Sequence, residues 1–250
     1  MRTNPVVLVN GNPESVAVWD LLADRLNRTD IVRRSPPGFG APLSEQFPST
    51  VIGYRDWLVA ELEQLDGPVD LVGHDVGGST VLGVAMTRPD LIRTWVSDSV
   101  GVFDPDYTWH DLARTWQTPG AGEASVEELL GGGIEQRVAR MTAQGLPEVI
   151  AQRIGPAQGP EMGQAILGFY RSAAQPVMAE LGQNLEAARA RPGLAVLGTT
   201  DRFVGSEEMR RWSAARAGAE VVTLEGVGHW WMAQAPQLSA QALEKFWASA

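Results

Sequence analysis

The chain has 250 residues, enough for one large domain with a complete core but short for two, taking ~100–200 residues per domain. It contains no cysteine and three histidines, which excludes disulfides and thiolate metal sites and leaves few histidine ligands, so we expect no metal and no cofactor. The net charge of −10 argues against nucleic acid and anionic membrane surfaces as partners.

No signal-peptide core follows the N-terminus, and no apolar run approaches the ~20 residues of a membrane span. We therefore expect a cytoplasmic protein, a monomer or homodimer, that acts on an apolar small molecule.

Short apolar runs alternate with helical patterns along the chain. The predicted strands cover residues 6–9, 30–33, 69–72, 92–100, 194–197 and 221–224. The predicted helices between and after them cover residues 19–26, 50–65, 76–88, 206–215 and 237–248. This alternation predicts an α/β fold with a mostly parallel sheet covered on both faces.

The pattern changes between residues 104 and 191, where strand-like runs are missing. Predicted helices in this part cover residues 126–130, 134–141, 160–173 and 177–190. We interpret it as a helical lid inserted into the sheet domain. The predicted division is a first core part at 1–103, the lid at 104–191 and a second core part at 192–250.

One carboxylate stands where an apolar strand changes into a helix. Gly73 and Gly77 lie two residues before and after Asp75, and Gly78 follows, so the reversing backbone has small neighbours. This is the Gly-x-nucleophile-x-Gly spacing of a nucleophile elbow, with Asp in the nucleophile's position. The alternative is that Asp75 only caps the helix, since Asp is a preferred N-cap residue.

Three loops that follow predicted strands carry Asp75, Asp201 and His229, in the chain order nucleophile, acid, base. Each residue alone is weak evidence, but loops after parallel strands emerge at one edge of the sheet, so together they predict a catalytic triad. Asp98, which follows the apolar run at 92–96, could be the acid instead. The loop spacing after strand 194–197 favours Asp201.

Several segments resemble the epoxide hydrolases of the α/β-hydrolase superfamily, over nearly the whole chain. Residues 10–15, Asn-Gly-Asn-Pro-Glu-Ser, are similar to their oxyanion segment His-Gly-x-Pro-Glu-Ser, and residues 73–78, Gly-His-Asp-Val-Gly-Gly, to their elbow Gly-His-Asp-Trp-Gly-Gly. Lid segments 116–120 and 169–171 and the base loop 228–230 also match. The resemblance implies an α/β-hydrolase fold, here without the N-terminal hairpin that usually opens the sheet.

An Asp nucleophile favours displacement at saturated carbon, because attack on an acyl group would only form an anhydride. The product is an alkyl ester of Asp75, which water activated by His229 hydrolyses while Asp201 fixes the imidazole tautomer. The backbone N–H groups of Asn12 and Val76 are expected to hold the oxyanion. What leaves the carbon is not fixed by the nucleophile, and the resemblance of the lid segments to epoxide hydrolases implies epoxide opening to a diol as the function.

The resemblance further implies that Tyr170 is one of two lid tyrosines that donate to the epoxide oxygen. Leu112 stands where the second is expected, so the pair is incomplete unless Tyr107, Trp109 or His110 substitutes. The expected substrate-binding residues are Trp109, His110, Trp116 and Trp230.

Two other functions remain open. Asn12 matches the halide-binding Asn of haloalkane dehalogenases, but Val76 replaces the Trp that commonly supplies their second donor. A non-hydrolytic ligand-binding or cyclising homologue would keep the fold with a reduced set of donors.

Overall fold

A computed structural model describes residues 4–250 of the chain. Its centre is a six-stranded parallel sheet in the order β2-β1-β3-β4-β5-β6. The strands are β1 (Val6–Val9), β2 (Ile31–Arg34), β3 (Val69–Gly73), β4 (Ile92–Ser97), β5 (Gly193–Gly198) and β6 (Ala219–Leu224). All six predicted strands are confirmed, although the one predicted at 92–100 ends at Ser97.

Helices cover both faces of the sheet, as the unbroken apolar strands require. The core helices are α1 (Asp20–Ala23), α2 (Val51–Leu62), α3 (Val76–Thr87), α10 (Glu207–Arg216), α11 (Trp231–Gln234) and α12 (Pro236–Ser249). Strand β1 shows the two layers, because Val7 and Val9 pack with α2 and α3 while Val6 and Leu8 pack with α1, α11 and α12. No helix within residues 4–250 is long and apolar enough to cross a lipid bilayer.

The chain between β4 and β5 is helical. Its helices are α4 (Asp111–Gln117), α5 (Ala121–Leu130), α6 (Ile134–Ala143), α7 (Glu148–Ile154), α8 (Pro160–Ser172) and α9 (Val177–Gly182). The prediction of one helix over 177–190 is wrong, because α9 ends at Gly182 and a separate 3₁₀ helix follows at Leu185–Ala190. Gly182 packs closely against the Phe103 carbonyl. The division into core and lid at residues 104 and 191 stays a prediction.

The order of the strands reverses at β1. The chain passes from β1 outward to β2 and returns to β3 on the other side of β1, so the loops after β1 and β3 flank a switch point, where α/β sheets bind ligands. Val9 pairs with Gly73, and Gly73 pairs with Ser97. The residues that follow these strand ends therefore lie side by side at the carboxyl edge of the sheet.

Candidate active site

Asp75 sits on a strained turn between β3 and α3. Its φ of 54° is the only positive φ of a non-glycine residue within residues 4–250. The turn is tight, since a Cβ on Gly77 would lie 2.3 Å from the Val9 carbonyl oxygen. The Asp75 side chain makes no capping hydrogen bond to α3, so the alternative of a simple helix cap is not supported. Strain of this kind is typical of functional sites.

The side chains of Asp75, His229 and Asp201 meet at the carboxyl edge of the sheet. His229 Nδ1 lies 3.0 Å from Asp201 Oδ2, and His229 Nε2 lies 3.6 Å from Asp75 Oδ2. The first distance is a hydrogen bond, whereas the second is a close ionic contact that leaves Oδ2 free to react. The predicted order of nucleophile, acid and base thus corresponds to a spatial triad, in which Asp201 rather than Asp98 contacts the base.

One backbone donor holds the other oxygen of the Asp75 carboxylate. The N–H of Asn12 donates to Asp75 Oδ1 at 3.0 Å. The approach is possible because residue 11 is glycine; any other residue would place a Cβ 2.6 Å from that oxygen. Within the described chain the Val76 N–H makes no hydrogen bond to the carboxylate, so its predicted role in the oxyanion hole stays a prediction.

The triad is charged before any reaction. Burial opposes the ionised form of both aspartates, but the pKa values of Asp75 and Asp201 are lowered because imidazoles and backbone N–H groups stabilise the carboxylates. Burial also lowers the pKa of His229, but the charge of Asp201, the hydrogen bond to it and the close contact with Asp75 outweigh burial and raise the pKa to about 10. His229 is therefore an imidazolium between two carboxylates, and it can act as a base only after Asp75 loses its charge.

Helix α8 contributes a phenol beside Asp75. Tyr170 is buried, and its oxygen lies 3.3 Å from Asn12 Nδ2, from which it accepts a hydrogen bond. The proton of the phenol itself has no acceptor within residues 4–250. Asn12 Oδ1 and Trp116 Nε1 are likewise buried without a hydrogen-bond partner. Unsatisfied polar atoms of this kind are costly unless a ligand or water meets them.

Of the three residues that could substitute for a second lid tyrosine, two already donate their polar hydrogen to a backbone carbonyl. Tyr107 donates its O–H to the Phe203 carbonyl at 2.7 Å, and Trp109 Nε1 donates to the Ala173 carbonyl at 2.9 Å. His110 is different: its Nδ1 accepts the Ala113 N–H at 3.2 Å as the N-cap of α4, which places its proton on Nε2. Burial lowers the pKa of His110, so the ring is a neutral donor.

Two small hollows lie beside Asp75, which lines both of them. They measure about 30 and about 20 Å³, room for one or two water molecules each. Every predicted substrate-binding residue lines at least one of them: Trp109, His110, Trp116 and Trp230. Their binding roles stay predictions. A larger hollow of about 200 Å³ beside α2 and α3 does not include Asp75.

A second charged cluster lies directly behind the nucleophile and was missed from the sequence. His74 is fully buried; its Nε2 lies 2.9 Å from Glu14 Oε1, and its Nδ1 contacts Asp98 Oδ2. We call Glu14, His74 and Asp98 the His74 array. The signal that could have found it is the strand register, because the pairing of Gly73 with Ser97 makes the next residues, His74 and Asp98, neighbours.

Comparison with known proteins identifies the family of the chain. A model of the "Alpha/beta hydrolase family" matches residues 6–242. The chain therefore belongs to the alpha/beta hydrolase family, and the predicted fold class is confirmed.

Individual relatives are distant. An (E)-2-((N-methylformamido)methylene)succinate hydrolase of Acinetobacter baylyi is 28% identical over 91 residues, which is 36% of this chain and only 35% of that protein. The crystal structure of E-2-(acetamidomethylene)succinate hydrolase superposes with a TM-score of 0.75 at 19% identity, covering 98% of this chain and 91% of that one. The haloalkane dehalogenase DbeA from Bradyrhizobium elkani gives a TM-score of 0.70 at 20% identity, covering 99% and 92%. These structural likenesses show the fold alone.

Proposed function

We propose that this hydrolase opens epoxides to diols through a covalent alkyl ester of Asp75. The observation that carries the proposal is the phenol of Tyr170, which accepts a hydrogen bond from Asn12 and keeps its own proton unpaired above the nucleophile. An epoxide oxygen needs such a donor as its bond to carbon breaks.

In the first half-reaction, Asp75 Oδ2 attacks one epoxide carbon and the bond from that carbon to the ring oxygen breaks. The resulting alkoxide takes the proton of Tyr170. Asp75 is now a neutral ester, so the imidazolium of His229 has lost one of its two anionic partners. Its proton can restore the phenol, which leaves His229 neutral and ready to act as a base.

In the second half-reaction, water attacks the ester carbon of Asp75 and gives its proton to His229. The Asn12 N–H, already 3.0 Å from Oδ1, holds the oxyanion that develops there. The bond between the ester carbon and the product oxygen then breaks, and the product takes the proton from His229. The new Asp75 carboxyl then passes the remaining proton of the attacking water to His229, which restores the starting state. Asp201 stabilises the imidazolium whenever His229 is protonated.

We assign the second donor to His110 Nε2, in place of the missing tyrosine at Leu112. The ring lines both hollows beside Asp75, and its tautomer is fixed by the cap of α4. A neutral imidazole donor with a phenol would stabilise the alkoxide from two directions.

The substrate should be neutral and largely apolar. No Lys or Arg lines either hollow, while Asp75 contributes a negative charge to both. A dicarboxylate of the succinate type, the substrate class in the names of the two hydrolase relatives, would meet no Lys or Arg there, and the His229 imidazolium is already paired with Asp75 and Asp201. This argues for uncharged epoxides rather than for the substrates of those relatives.

One observation favours a haloalkane substrate as the second candidate. The buried indole N–H of Trp116 has no partner and lies in the same pocket as Asn12. If the Asn12 amide is rotated by 180°, its oxygen accepts the Tyr170 proton and its NH₂ becomes free beside that indole. Weak N–H donors in a pair suit a leaving halide.

Mass spectrometry of the Asp75 peptide tests both candidates. Wild type and His229→Gln are incubated with matched sets of alkyl and aryl epoxides and halides, since the variant should retain the first half-reaction and trap the ester. Adducts from epoxides together with diol formation support the proposal. Adducts from halides alone, with halide release, replace it by the second candidate, and no adduct with any compound rejects both.

The role of Tyr170 as proton donor is tested with Tyr170→Phe, and Tyr107→Phe is the matched control. Tyr170→Phe should slow alkylation by epoxides about 10²–10⁴-fold, the usual contribution of a general acid, while leaving hydrolysis of the formed ester much less affected. Tyr107→Phe also removes a buried lid hydroxyl, but one that only bonds the Phe203 carbonyl, and it should retain alkylation. Equal slowing by the two variants would contradict the role of Tyr170.

A further inference from the structure

The His74 array places one imidazole between two carboxylates in the protein interior. All three side chains are at most 2% exposed, with Glu14 on the loop after β1, His74 after β3 and Asp98 after β4. Both ring nitrogens of His74 face a carboxylate oxygen. The ring of His74 also lies 4.5 Å from that of the predicted base, His229, measured between ring centres.

The other neighbours of the array are all donors. Trp230 Nε1 donates to Glu14 Oε1 at 2.5 Å, and Trp231 Nε1 donates to Asp98 Oδ2 at 2.6 Å. The Asp75 N–H donates to Asp98 Oδ1 at 2.9 Å. Each of these donors stabilises negative charge on the carboxyl oxygen that it contacts. With carboxyl oxygens facing both of its nitrogens, His74 is best satisfied as an imidazolium that donates to both.

We propose that His74 is a permanently charged positioning residue: as an imidazolium held by Glu14 and Asp98, it keeps Asp75 ionised before alkylation and drives His229 to release its proton afterwards. The proposal rests on the proposed function for its second half. The charge of His74 itself can be measured without any substrate.

The charges that face the two histidines determine the sign of the effect. His74 faces Glu14 and Asp98, which raise its pKa well above the ordinary value although burial opposes this. The positive charge of His74 in turn lowers the pKa of Asp75 and of His229.

In the free enzyme two carboxylates, Asp75 and Asp201, outweigh the influence of His74 on His229, and the imidazolium persists. Esterification removes one carboxylate while the charge of His74 stays. His229 then holds its proton less tightly and becomes a competent base at neutral pH.

NMR of protein labelled with ¹⁵N-histidine tests the charge directly, since the chain has only three histidines. In wild type we expect both His74 nitrogens to remain protonated from about pH 5 to about pH 9. A His74 that is neutral at about pH 7 overturns the proposal, whether or not any substrate is turned over.

Asp75→Ala serves as a stable stand-in for the uncharged ester. The pKa of His229 should be lower in Asp75→Ala than in wild type. Adding His74→Gln to Asp75→Ala should raise that pKa again, by about one unit. The control is Asp75→Ala with Asp70→Asn, which disturbs another buried carboxylate of β3 that binds Arg93 and should leave the titration unchanged. Identical titrations with and without His74→Gln would refute the electrostatic role.

Kinetics on single His74→Gln link the array to turnover. At neutral pH the ester of Asp75 should accumulate and its hydrolysis should fall about tenfold, with recovery as the pH rises. A structural role alone would lower the rate equally at every pH, and that result counts against the proposal. If no epoxide or halide reacts with wild type, the proposed function fails while the NMR result for His74 stands.

Discussion

A single methyl group at residue 11 should disable the nucleophile. In Gly11→Ala the new Cβ would lie 2.5 Å from Asp75 Cβ, 2.6 Å from Asp75 Oδ1 and 2.7 Å from the His74 carbonyl oxygen. Ordinary contacts begin near 3.4 Å, so the two segments must separate by about 0.9 Å. The Asp75 Cβ and the His74 carbonyl oxygen move only with the backbone, Oδ1 is held by the Asn12 N–H, and the strained turn at Asp75 has little freedom to yield.

The separation would break the contact that we propose holds the oxyanion. The bond from the Asn12 N–H to Asp75 Oδ1 is 3.0 Å long, and about 0.9 Å more takes it beyond hydrogen-bonding range. Loss of one oxyanion donor costs about 10²–10³-fold in kcat, or ~2.7–4 kcal/mol. Overpacking should also lower the free energy of unfolding by about 1–3 kcal/mol and reduce Tm by ~2–4 °C per kcal/mol.

Single-turnover measurements by rapid quench and mass spectrometry of the Asp75 peptide would separate the two half-reactions. Gly133→Ala is the control, because its Cβ meets no atom within 4 Å and its φ is −74°. It should keep wild-type rates. If Gly11→Ala retained kcat within about threefold, less than ~0.7 kcal/mol, the close approach would not matter for catalysis and the reasoning would be wrong.

Three further predictions concern the triad and the packing behind it. Asp201→Asn should slow ester hydrolysis by about 10⁴-fold with alkylation less affected, seen as accumulation of the ester by mass spectrometry. Because the pKa of His229 is raised to about 10, its protonation stabilises the fold fully below about pH 6.5, and this contribution is lost as the pH rises through about 10. The free energies of unfolding of wild type and His229→Gln, measured in urea, should therefore converge over that range. Trp231→Phe removes an N–H bound to ionised Asp98 and should cost about 1.5–3 kcal/mol more in unfolding free energy than Trp19→Phe, whose buried N–H has no partner.

The elements that position the nucleophile could be predicted because each has a local cause. Buried parallel strands require unbroken apolar runs, and the elbow requires small residues around Asp75. The chain order of Asp75, Asp201 and His229 then sufficed to indicate which loops meet. Helices α4 and α7 were not predicted, since seven residues give too short a pattern to recognise.

Interactions that depend on register or on the partners of a polar atom could not be predicted. Nothing local in the sequence distinguishes Trp109, whose N–H bonds a backbone carbonyl, from Trp116, whose N–H is unpaired. The His74 array likewise depends on the alignment of three strands. In the sequence, Glu14 stood out only as part of the segment similar to the oxyanion motif, and Asp98 only as the alternative acid.

The size of the two hollows beside Asp75 has a kinetic consequence. At about 30 and 20 Å³ they match solvent molecules and are smaller than any substituted epoxide. For the proposed epoxide substrate, entry and product exit then require side chains that line the hollows to move, and Tyr170 on α8 is one of them. We expect this opening to gate turnover, so that substrates of very different intrinsic reactivity share similar kcat values and kcat falls as solvent viscosity rises.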